Sequence, residues 1–142
     1  MNLCKNVKIT KVGDYESAGT GAVNSTAVDM QGWDGVLFLT TMHVANSGNY
    51  INAAQGDLSN GSDAADLEGT KVVCEYADVA MWLDIYKPID RYVRVEAVRA
   101  GSSTAMGEIW AIQYSGRIMP QDNDTMNTIT GKLHISPAEG TA

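Results

Sequence analysis

The sequence predicts an all-β protein folded as a single domain, a β-sandwich of jelly-roll type. Three observations point there. Apolar residues recur at alternate positions in a series of short runs, which is the period of a half-buried strand. Clusters of Gly, Asn, Asp and Ser separate those runs, as turns do in sandwiches and barrels. No amphipathic helix longer than a turn or two competes with them. The chain has 142 residues, a length that suits one domain of about 100–150. The domain is therefore expected to span 1–142, with extended arms at 1–5 and 136–142.

Each element follows from local pattern. Residues 5–12 alternate polar and apolar until Gly13 and Asp14 turn the chain. Lys8 and Lys11 on this terminal strand oppose edge-to-edge pairing. Residues 14–25, rich in Gly, Ser, Thr and Ala, read as a loop around a short extended piece. A short strand at 26–30 and a turn at 32–35 lead into 36–44, whose first half is apolar on both faces and which should be central. A turn at 45–49 precedes a partner strand at 50–55. Residues 56–69 form the most polar long stretch, an expected exposed loop with one helical turn at 64–67. Strands follow at 70–75 and 80–86. In the second of these, Trp82, Asp84 and Tyr86 share one side and Met81, Leu83 and Ile85 the other. Beyond a corner at 87–90, residues 91–99 set Val93, Val95 and Ala97 against Arg94, Glu96 and Val98. Residues 106–114 set Ile109, Ala111 and Gln113 against Trp110, Ile112 and Tyr114. Residues 116–127 read as loop, 128–135 as a last strand and 136–142 as a polar tail.

Composition narrows the function classes. Ten basic and seventeen acidic residues leave a net charge of −7, and an acidic surface repels phosphate backbones, so no nucleic-acid partner is expected. The N-terminus carries no apolar leader region, and no run approaches the roughly 18 apolar residues of a membrane span. The chain is thus expected to be made and folded in a cytoplasm, without a membrane. Cys4 and Cys74 are the only cysteines. They read as buried or half-buried thiols, with a mutual bridge as the alternative, and no CxxC or HxxxH spacing suggests zinc.

No catalytic, cofactor or metal site is expected. His43 and His134 lack a GxSxG elbow or a metal-ligand spacing beside them. Asp57 and Glu68 bound a twelve-residue window that also holds Ser59, Gly61 and Asp63. A calcium loop wants glycine at the sixth position, and Ser62 stands there, so the window reads as a solvated acidic loop. Asp29, Asp34, Asp84, Asp90, Glu96 and Glu108 lie near strands, but none has a context that marks an acid–base pair. No GxxxxGK[ST] phosphate loop occurs. Trp33, Trp82, Trp110, Tyr86, Tyr92 and Tyr114 are strand aromatics, read first as core or cross-strand pairs and second as a sugar-stacking platform. Residues 89–95 also resemble a strand of discoidin-type carbohydrate-binding jelly rolls.

Several longer stretches carry a resemblance to a family. They are VDMQGWDGVLF at 28–38, DLEGT at 66–70, DIYKPIDRYVRV at 84–95, GEIWAIQYSGR at 107–117 and LHISPAEGTA at 133–142. Together they cover most of the chain from Gly13 onward, and they resemble small virion-structural proteins of tailed bacteriophages. The resemblance implies a particle component without catalytic residues. The expected role is a capsid decoration (cement) protein, bound to the outer head and bridging major capsid subunits, with a head–tail connector or tail role as the alternative. A carbohydrate-binding module for host attachment is the other rival. A small rigid domain that binds only the assembled shell stabilises it by mass action, and such proteins are often symmetric oligomers, here a trimer or dimer. The expected partner contacts are Met1, Asn2 and Leu3 in the N-terminal arm, Asp57, Asp63 and Glu68 in the acidic loop, and Pro137 and Glu139 in the tail.

Overall fold

The computed structural model describes residues 2–121, 123, 129–136 and 138–141. One helical turn, α1 (Leu3–Asn6), precedes twelve strands. These are β1 (Val7–Gly13), β2 (Glu16–Gly19), β3 (Val23–Asn24), β4 (Val28–Asp29), β5 (Trp33–Thr41), β6 (Asn46–Gly56), β7 (Ala65–Asp66), β8 (Val72–Cys74), β9 (Ala80–Tyr86), β10 (Tyr92–Arg99), β11 (Thr104–Met106) and β12 (Ile109–Gly116). Sheet one runs β1-β12-β5-β9. Sheet two runs from β3 and β4 through β10 and β6 to β7 and β8, and β2 pairs β11 in a small ribbon. Every pairing is antiparallel. First strand pairs with last, β3 and β4 with β10, β5 with β9, and β6 with β7 and β8. That nesting is the jelly-roll wrap of a double-sheet sandwich.

The core lies between the two sheets and follows the period-2 rule. Sheet one contributes Val36 and Phe38 from β5, Met81, Leu83 and Ile85 from β9, and Ile109 and Ala111 from β12. Sheet two contributes Ile51 and Ala53 from β6 and Val93, Val95 and Ala97 from β10. Burial alternates strictly along β9 and β10, and β5 is flanked on both sides by strands, so the central placement expected for it holds. The acidic loop runs along the edge of β6. Leu67 donates its amide to the Ala53 carbonyl at 2.8 Å, and Asn52 donates to Asp66 at 2.9 Å.

Three expectations are corrected. Residues 64–67 contain no helical turn. Ala65 and Asp66 instead form β7, because the edge of β6 offers them main-chain partners. Residues 129–135 are not a strand, and Thr128 lies outside the described residues. The edge of β1 against which such a strand would pair is already occupied. Asn123 accepts from the Ile9 amide at 2.7 Å and donates to the Cys4 and Val7 carbonyls at 2.6 and 2.7 Å. The Gln121 amide takes the Lys5 carbonyl at 2.8 Å. The same clasp accounts for the N-terminus, where residues 3–6 form a turn of helix instead of an extended arm.

Candidate interaction surface

The antiparallel register sets the outer face of sheet one in three transverse rows. Lys11, Trp110, Leu39 and Trp82 stand side by side across β1, β12, β5 and β9. The next row is Ile9, Ile112, Leu37 and Asp84, and the third is Val7, Tyr114, Gly35 and Tyr86. Lys11 and Asp84 are the charged members. A solvated outer face of an antiparallel sheet is ordinarily polar, whereas this one is mostly apolar and aromatic.

Two halves of the face differ. On the β1 side, residues 129–133 lie against Ile9 and Trp110, around a hollow of ≈ 600 Å³ that Cys4 and Lys5 also line. On the β9 side the aromatics stand open, Trp82 61% exposed and Tyr86 59% exposed. Gly35 organises this open half. A Cβ there would come within 2.1 Å of the Tyr114 ring, so the absent side chain lets Tyr114 lie across β5. The Tyr114 hydroxyl thereby reaches Asp84 on β9 and donates to its Oδ1 at 2.7 Å. The Tyr86 ring lies parallel to that of Tyr114, within 3°, at a centroid distance of 6.4 Å. Burial, followed by the bond to Asp84 and the negative charge there, pushes the Tyr114 hydroxyl pKa up to about 12. The neutral donor form is thus held in place well beyond neutral pH.

The two edges of sheet one also differ. The β1 edge is closed by the Asn123 clasp and carries Lys8 and Lys11. The β9 edge pairs only with β5 among the described residues, and it contains neither proline nor lysine. Beside it runs a groove of ≈ 620 Å³ between β8 and β9, lined in part by Val72, Val73, Val79, Met81 and Leu83.

The residues that the sequence marks for contact are not gathered at this face. Asn2 caps α1 with no side-chain bond of its own, and Leu3 is exposed. Met1 and Pro137 lie outside the described residues, and Glu139 is exposed in the tail. Asp57 and Glu68 are exposed on the loop beside β6. Asp63 folds back, its carboxylate accepting the Asp57 and Leu58 amides at 2.8 and 3.2 Å, and those bonds hold its pKa below the usual carboxylate range.

Other candidates resolve into local contacts. Asp29 takes a bidentate bond from Arg91, at 2.9 and 2.7 Å, and that bond leads the causes that lower its pKa. Glu96 is held by Arg94. His43 meets Asp78 at 2.5 Å in an exposed pair, and His134 is exposed. Both thiols are free, Cys74 buried and Cys4 half-buried. Among the described residues, no group of three or more His, Cys, Asp or Glu is arranged to hold a metal ion, and no helix is long and apolar enough to cross a membrane.

Leu37 and Leu39 are members of the face that sequence reasoning missed. The doubly apolar first half of the 36–44 run reads as burial on both sides, whereas one of those sides is the outer face.

No family model matches the chain, and no curated protein matches it. Among solved structures, it is similar to the crystal structure of SPBc2 prophage-derived protein YomS. The identity is 10% and the TM-score 0.47, over 77% of this chain and 95% of that one.

Proposed function

We propose that this chain is a structural component of a tailed-phage particle, a decoration (cement) protein of the outer head that bridges major capsid subunits. It acts by binding, without chemistry of its own. The carrying observation is the open half of the outer face of sheet one, where Trp82 and Tyr86 stand exposed beside half-buried Leu37, Leu39, Ile112 and Tyr114. Exposed apolar patches of this kind mark contact sites. The sequence resemblance to virion-structural proteins supports the same reading, and the net charge of −7 suits an outer surface turned away from the genome. Association into a dimer or trimer belongs to this proposal, since shells offer symmetric sites.

The test is copy number in purified particles, by densitometry against the major capsid protein. The proposal expects one copy per one or two capsid subunits, and heads lacking the protein that rupture at lower temperature or milder osmotic shock. About a dozen copies per particle would move it to the neck or tail, the connector alternative. The carbohydrate reading is favoured by one observation, the open Trp82 and Tyr86 beside the free oxygen of Asp84. Its test is quenching or enhancement of tryptophan emission by host surface glycans, abolished in Trp82→Ala.

A further inference from the structure

We infer that β9 pairs with β9 of a second copy, antiparallel about a two-fold axis at Leu83, so that sheet one continues through the axis as eight strands. The inference deepens the proposed self-association and does not depend on which particle surface the protein occupies. It starts from the unequal edges. Long, flat strand edges invite pairing, and proteins blunt them with lysine, proline, bulges or a covering segment. The β1 edge has two lysines and a three-bond clasp from Asn123. The β9 edge has seven regular residues with no lysine, proline or bulge, and Asp84 is its one charge.

The occupant follows from the strand's own order of residues. With both outer faces on the same side, alternation requires that the axis pass through a residue and not between two. Centring on Leu83 pairs the full length of Ala80–Tyr86. It sets Trp82 opposite Asp84 of the second copy, Tyr86 opposite Ala80, and Met81 opposite Ile85. Each outer pair is complementary. The indole N–H of Trp82 faces a carboxylate whose second oxygen is not used by Tyr114, and the Tyr86 ring faces the smallest side chain of the strand. The inner residues Met81, Leu83 and Ile85 meet only apolar partners and cover the groove beside β8. Centring on Asp84 would oppose two carboxylates, which destabilises a pair. A strand that complements itself this well specifies a second copy as its partner, through an isologous contact.

The experiment uses the full chain in sedimentation equilibrium, with Trp82→Lys and Trp82→Glu beside the wild type. Trp82 is largely exposed, so both variants should fold, which circular dichroism and melting temperature verify. The wild type is expected to be a dimer. Trp82→Lys would set an ammonium against Asp84 of the second copy and keep the dimer within about threefold of the wild-type Kd. Trp82→Glu would set a carboxylate against Asp84 twice, once on each side of the axis, and raise the Kd about tenfold or more. A monomeric wild type overturns the inference. So does a dimer weakened equally by both variants, or indifferent to both, since neither fits a register centred on Leu83. A monomer that nevertheless decorates heads would sink this pairing and leave the decoration reading standing. A dimer with the expected charge response that is absent from particles would do the reverse.

Discussion

Tyr114 is a side chain whose position depends on a missing one. It crosses β5 because Gly35 has no Cβ, and its hydroxyl ends on Asp84. The consequence is measurable in alkali. Of the six tyrosines, one should ionise near pH 12 in a spectrophotometric titration, well above the ordinary value of about 10. Gly35→Ala evicts the ring, so this titration should fall back towards that ordinary value, and Tyr114→Phe should cost about 0.5–1.5 kcal/mol of stability by urea denaturation. At the same scale, Arg91→Ala should raise the Asp29 carboxyl pKa towards the usual carboxylate range, observable by carboxyl-detected NMR. Neither contact is legible in the sequence. Asp84 and Tyr114 stand 30 positions apart, and only the register of three strands brings them together.

Among the elements, Arg99 at the end of β10 shows how a ribbon is tied to a sandwich. It is buried at 6% exposure, and its guanidinium donates to the Gly21, Ser17 and Thr104 carbonyls at 2.8, 2.8 and 2.9 Å. Those carbonyls belong to β2, to the segment that follows it and to β11. Arg99→Ala leaves the buried Thr104 carbonyl and two part-buried ones without this donor and should cost about 1–3 kcal/mol, with the amides of β2 and β11 the first to lose protection in hydrogen exchange. Arg99→Lys should recover only part, since an ammonium cannot spread across three separated acceptors. Elements of this kind explain what the sequence discloses. β9 and β10 are readable to within a residue because a side chain alternates in and out at each step. The two-residue strands β3, β4 and β7 are too short to show any period. The 129–135 stretch has a strand's pattern but no strand, because Asn123 holds the edge of β1 that it would need. The outer face of sheet one is half legible. Trp82, Asp84 and Tyr86 are visible as one side of a strand, while Leu37 and Leu39 look like core.

For the whole molecule, the titrating groups bound a plateau of stability. Asp29 and Asp63 have folded pKa values below their unfolded ones. Their contribution is present above the unfolded carboxylate range, about 3.9, and is lost as pH falls through the folded values. Tyr114 has the opposite shift. Its contribution is complete below about 10 and is lost as pH rises towards about 12. The melting temperature should therefore be level between these limits and fall on both sides. Arg91→Ala should flatten the acid fall and Tyr114→Phe the alkaline one. Such breadth suits a particle component that must keep its fold wherever the particle travels, and the copy-number measurement decides whether it is one.

The clasp at Asn123 has a meaning in the language of polymer chemistry. A molecule with one reactive end forms a pair and stops, whereas a molecule with two grows chains. If β9 pairs as inferred, an open β9 and a closed β1 would make this protein monofunctional, and its pairing would terminate at two copies. Asn123→Ala would remove three bonds from the closed end and raise the functionality towards two. Step growth into filaments is then the expected outcome, seen as light scattering that rises with time and concentration in the variant and stays flat in the wild type. On that pairing, one amide side chain would set the degree of polymerisation.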